Sequence, residues 1–130
     1  MYEPIRTKPV VQLMGGTTVD YPHSSRGEAL DIQLAGHLAA LLAVTDELGL
    51  DEAADEIAAQ VTRLRGAQPT RASQGPAGDA AALHRRAHDL AARALLVAAS
   101  RADTTVAILA AERMDAHAAA LESKDLAGAL

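Results

Sequence analysis

Beyond residue 23 the apolar positions recur mostly at spacings of three and four, the period of an amphipathic helix. Leu30, Leu34, Leu38, Leu41, Thr45 and Leu48 line one face, with Leu42 beside them. Glu28, Asp46 and Glu47 fall on the other side. Ser25 and Glu28 have the spacing of a capping box, so the pattern predicts a helix from Ser24 or Ser25 to Gly49. A second helix restarts at once, with Asp51 as its expected N-cap. Its face is Ala54, Ile57, Val61 and Leu64, and Gly66 ends it. So short a connection predicts a helical hairpin or a sharp corner.

From Asp79 to Lys124 there is neither Pro nor Gly. One continuous or gently bent helix of about 45 residues, roughly 67 Å long, is one reading. The apolar face argues for another. Leu83, Ala87, Leu90, Ala94, Val97 and Ala98 define a stripe that, continued, meets Arg101, Glu112 and Asp115. The better stripe beyond residue 103 is Val106, Leu109, Ala110, Met114, His117 and Leu121, rotated by roughly 100°. Ser100 and Asp103 repeat the capping-box spacing. We therefore expect two helices, 79–99 and 102–123, with a kink or tight turn near Ser100.

Two segments break the helical pattern. Residues 1–22 contain no Ala but hold Pro4, Pro9 and Pro22. They read as an extended arm, or as a β-hairpin of Val10–Met14 and Thr17–Tyr21 about Gly15–Gly16. Residues 66–78, GAQPTRASQGPAG, read as a flexible linker and the best protease target in the chain. The expected fold is all-α: a four-helix bundle over residues 23–130 behind an N-terminal arm. If 79–123 is one helix, three helices with a very long last one replace it.

Composition sharpens this picture. Of the 130 residues 49% are hydrophobic, but Phe and Trp are absent and Ala supplies much of the share. Ala favours helix and close packing but buries little area. A lone domain of this kind is modestly stable, and Ile32, Ala35, Ala39 and Ala43 widen the apolar arc of the first helix. Self-association as a homodimer is the expectation, with a further protein partner compatible with it. The net charge of −5 argues against nucleic acid. The arginines of RRAHDLAAR (Arg85, Arg86, Arg93) and Arg63, Arg65 and Arg71 are interrupted by Asp89, and the second helix opens DEAADE. No cysteine is present, which fits a reducing compartment and excludes thiolate metal sites. MYEPIRTKP lacks the apolar core of a signal peptide. The longest uninterrupted apolar run, LAALLAV at 38–44, is too short to cross a bilayer. A cytoplasmic protein without a membrane anchor is expected.

The histidines carry what chemistry there is. His84 and His88 are one turn apart and flank the apolar face, so both imidazoles can reach one metal ion. His37 or His117, from other helices, would have to complete the site. Neither His-Glu-x-x-His nor the Glu-x-x-His pattern of di-metal bundles occurs. Histidines at such edges more often make ordinary hydrogen bonds. His37 lacks a companion nucleophile. Gly15–Gly16 with Thr17 and Thr18 reads as a turn, since the phosphate-loop and dinucleotide patterns are absent. Asp51/Asp55 and Glu52/Glu56 suit a helix N-terminus without further purpose. No cofactor is implied. The expected function is that of a non-enzymatic structural or interaction protein, a dimeric helical scaffold. One alternative is a helical-bundle enzyme or metal-binding protein using histidines from facing helices. A second is a small-molecule-binding or regulatory domain.

Overall fold

A computed structural model describes residues 21–75 and 78–129. The arm, its hairpin reading and the Gly15–Gly16 turn lie outside these residues. Four helices follow in order: α1 (Tyr21–Glu47), α2 (Asp51–Arg65), α3 (Ala80–Arg101) and α4 (Thr104–Ala129). No strand occurs among the described residues.

The expected faces are the ones that pack. Leu34, Leu38, Leu41 and Leu42 of α1 are fully buried, as are Ala54, Ile57 and Val61 of α2. From α3 the core takes Ala87, Leu90, Ala91, Ala94 and Ala98, and from α4 Val106, Leu109 and Ala110. Four of the five buried positions on α3 are alanine. Small side chains let this helix sit close to both of its neighbours, α1 and α4. The leucines and valines of the other helices then supply most of the buried apolar area.

Adjacent helices run antiparallel. Arg101 at the end of α3 reaches Asp31 near the start of α1, with Nε–Oδ1 at 3.0 Å. Arg63 near the end of α2 reaches Asp103 at the start of α4, with NH2–Oδ2 at 2.7 Å. Going round the bundle, the order is α1, α2, α4, α3. The α2–α4 side is the weak one: these helices meet only over a short stretch. With 15 residues against 26, α2 is too short to cover α4.

The two tight connections share one chemistry. After α1, Leu50 N–H donates to Thr45 C=O and Gly49 N–H to Asp46 C=O, the paired bonds of a Schellman motif. Gly49 takes the left-handed conformation this requires, at φ 74°. After α3 the same pair recurs, Asp103 N–H to Ala98 C=O and Ala102 N–H to Ala99 C=O. Here the left-handed residue is Ala102, at φ 58°. The change of apolar face near residue 100 is thus a true break between two helices, made without glycine or proline. An alanine in this conformation costs about 1 kcal/mol. Ala102→Gly is expected to raise the unfolding free energy by about 0.5–1 kcal/mol, since relieved strain outweighs added chain entropy. Urea denaturation measures it, and a destabilised variant would contradict the strain argument.

The helix starts differ from the sequence expectation. The described part of α1 already includes Tyr21, ahead of Ser24 and Ser25, so neither serine starts the helix. Asp51 is the first residue of α2 and not its cap; the cap position is Leu50, which offers no side-chain acceptor. Asp51 and Glu52 act instead through the helix dipole. Asp79 caps α3, accepting from Ala82 N–H at 3.0 Å. Asp103, not Ser100, caps α4, accepting from Val106 N–H at 3.2 Å. The Ser100 hydroxyl is turned back to Leu96 C=O.

The segment between α2 and α3 runs back along α2, because α3 starts at the opposite end of the bundle from the end of α2. Its described residues 66–75 hold no helix or strand. They are nonetheless tied down. Arg71 clamps Asp46 with two bonds, Nε–Oδ2 at 3.0 Å and NH2–Oδ1 at 2.8 Å. Ala72 N–H donates to Asp46 Oδ2 at 3.0 Å, and Gly75 N–H to Glu47 C=O at 3.1 Å. Arg71 also reaches Asp55. Asp46, assigned by periodicity to the polar side of α1, is therefore buried at 6% exposure. Its carboxyl is held below the usual range chiefly by the Arg71 hydrogen bond.

By length and composition alone, Ser25–Glu47 is apolar enough to cross a membrane, with a mean hydropathy of 1.2. A count of uninterrupted apolar residues passes over it, because polar positions are scattered through the stretch. In the fold its leucines Leu34, Leu38, Leu41 and Leu42 are core residues.

Candidate functional site

Of the four histidines singled out in the sequence, the structure brings two together. His84 stands in the second turn of α3 and His117 past the middle of α4. The antiparallel register sets them opposite one another, with Nδ1–Nδ1 at 2.8 Å. The ring centroids are 5.1 Å apart and the planes tilted by 51°. His117 continues the apolar stripe Val106, Leu109, Ala110, Met114, and its exposure is 0%. His84 lies at the edge of the seam and is half-buried.

The geometry dictates the protonation pattern. A 2.8 Å contact between two ring nitrogens is a hydrogen bond, and it holds one proton. The two neutral rings must therefore be opposite tautomers. His117 Nε2 is buried without a partner. A bare lone pair there costs less than an orphaned N–H. His117 Nδ1–H is thus the donor and His84 Nδ1 the acceptor, which leaves His84 Nε2–H toward the more open side.

Electrostatics keeps both rings neutral. Burial pushes His117 down to about 4, with Arg113, His84 and His88 adding to the effect. Burial also lowers His84, followed by the charges of Lys124 and Arg113. The neighbours that push the pair down, Arg113, Lys124 and His88, are all basic. Arg113 is one turn before His117, and its Nε is itself buried without a partner.

His88 stands apart. It lines an open groove between α3 and α4 with Arg85, Asp89, Leu121, Glu122 and Asp125. His37, half-buried on α1, joins neither the hydrogen bond nor the ring contact of the pair. Among the described residues no three His, Asp or Glu side chains are arranged to hold a metal ion. The pair alone suits one poorly. Two nitrogens on a tetrahedral zinc stand about 3.3 Å apart, given bonds of about 2.0–2.1 Å. The observed separation is that of a hydrogen bond, and the nearby charges repel a dication. The seam holds one shared proton between two neutral rings and resists a second.

The other singled-out groups have plainer partners. Arg63 pairs with Asp103, and Arg71 with Asp46 and Asp55. Arg85, Arg86 and Arg93 are exposed on α3. Asp46 is the interacting residue that periodicity missed. Its acceptor role was legible only in the arginine of the connecting segment, 25 positions on. Protein-family models, curated proteins and solved structures give no match to this chain.

Proposed function

We propose that the chain is a non-enzymatic, cytoplasmic helical scaffold that works as a symmetric homodimer. One observation carries the reading: the bundle is closed on three sides and open on the fourth. The second half of α4 has α3 as its helical neighbour, and α2 stops short of it. Residues 122–128 are exposed along their whole length, including Leu126. Ile32, Leu96 and Ile108 are further large apolar side chains in solvent. A second copy is the simplest partner for a weak side, because a two-fold axis pairs it with itself. Light scattering coupled to size exclusion at micromolar concentration is expected to give twice the 13.5 kDa chain mass. Leu126→Glu is expected to shift the protein toward monomer. A mass of one chain at every concentration tested removes the proposal.

A second reading is favoured by the convergence of His84 and His117 from facing helices. It makes the protein a metal-binding bundle or an enzyme built on that pair. The basic surroundings of the pair weigh against it. Metal content of protein purified without an affinity tag separates the two readings.

A further inference from the structure

We propose that the His84–His117 contact is a proton-operated latch, which holds the second half of α4 on the start of α3 while both rings are neutral and releases it when the pair takes up a proton.

The hydrogen bond has room for one proton. Protonating His84 at Nδ1 sets two N–H donors against each other across 2.8 Å. The clash is relieved only if His117 moves its own proton to Nε2, and that atom is buried without an acceptor. Protonating His117 directly places a cation at a fully buried ring with the same unpartnered N–H. Every arrangement of the added proton therefore either breaks the Nδ1 contact or puts a donor on the buried Nε2 of His117.

The surroundings give no relief. On α3 the pair faces His88, and on α4 it faces Arg113 and Lys124. The carboxylates Asp89, Glu122 and Asp125 border the outer groove with Arg85 and His88. α2 approaches α4 at the other end, beside Asp103, and α1 packs on α3 and not on α4. The α4 segment past Leu121 is exposed, so its departure uncovers little apolar surface. Separation costs least where protonation acts. The α2–Asp103 tie and the buried Val106, Leu109 and Ala110 hold the first half in place.

Hydrogen exchange on the full chain at pH 7 and pH 4.5, corrected for intrinsic rates, tests the latch. Protection over residues 113–121 is expected to fall by roughly 100-fold, two pH units below the ordinary histidine value. Residues 104–110 are expected to stay better protected than 113–121 at both pH values, because the core residues Val106, Leu109 and Ala110 open only with the whole fold. Equal protection along α4 at both pH values, or no loss over 113–121, overturns the proposal. His117→Phe keeps an aromatic ring without a titrating group and is expected to remove the difference between the two pH values. Nitrogen NMR of the rings in the unaltered protein decides the matter even if that variant does not fold. Opposite tautomers at pH 7 that vanish together on acidification are the expected result. Two rings titrating independently near pH 6.5 sink the latch. The oligomeric mass at pH 7, where the latch is closed, reports on the scaffold reading separately.

Discussion

Asp46→Ala is expected to lower the unfolding free energy by about 2–3 kcal/mol and to open the 66–75 segment to protease. The carboxylate is buried at 6% exposure and accepts three hydrogen bonds, two from Arg71 and one from Ala72 N–H. Charge-assisted, bidentate bonds are the stronger kind, and this pair is half sheltered from water. The arginine is partly exposed, so it rehydrates when its partner is removed, and the loss stays below that of a fully buried pair. Arg71→Met is expected to destabilise the fold as well, because it strands the buried carboxylate. Trypsin reads the segment directly: cleavage after Arg71 should be slow in the parent protein and fast in Asp46→Ala. Equal rates and equal denaturation midpoints would show that the segment is held by something else. The acid limb follows from the sign of the shift. The folded carboxyl is depressed, so its contribution is full above the unfolded value near 3.8 and is lost only as pH falls through the lower folded one.

Stability is expected to decline earlier, between pH 6.5 and about 4, because of His117. Its folded pKa lies below the unfolded one. In that window the unfolded chain binds a proton that the folded chain refuses, and the unfolding free energy falls by about 1.4 kcal/mol per pH unit. Over the full interval the loss is roughly 3 kcal/mol, with His84 acting in the same direction. Above pH 6.5 both states are neutral and the histidine term vanishes. Urea midpoints at pH 7, 5.5 and 4.5 measure the slope, and His117→Phe should flatten it. A slope that survives the substitution would assign the acid sensitivity to other groups. The histidine and Asp46 windows barely overlap, so one titration series separates them.

Much of this fold was legible as periodicity. The Leu34–Leu38–Leu41 stripe, the Ile57–Val61 face and the rotated Val106–Leu109–Met114 face all turned inward as their spacing required. The break after α3 was legible for the same reason, although the residue that makes it, Ala102, carries no propensity for its conformation. Cap chemistry was less legible. Ser25 and Ser100 had the right spacing, but helix starts follow backbone geometry that a pair of residues does not fix. Asp46 was placed on the wrong side because its partner comes from a Gly- and Pro-rich stretch with no period. The candidate site was half legible. Spacing put His117 on the apolar face and His84 at its edge, but which histidines meet depends on interhelical register. Register set His84 against His117 and left His88 in the groove and His37 outside the contact.

The tight turns at Gly49 and Ala102 have a kinetic consequence. α1 with α2, and α3 with α4, are neighbours along the chain, each pair joined by two or three residues. Closing such loops costs little entropy. The α1–α3 seam, with the slight α2–α4 contact beside it, is what requires distant parts of the chain to find each other. The search for the native state therefore reduces to two local hairpins and one docking event. Low separation between partners of this sort belongs with folding in microseconds to milliseconds. The alanines of α3 add to this, since a flat, small-residue surface can slide into register without long side chains first having to disengage.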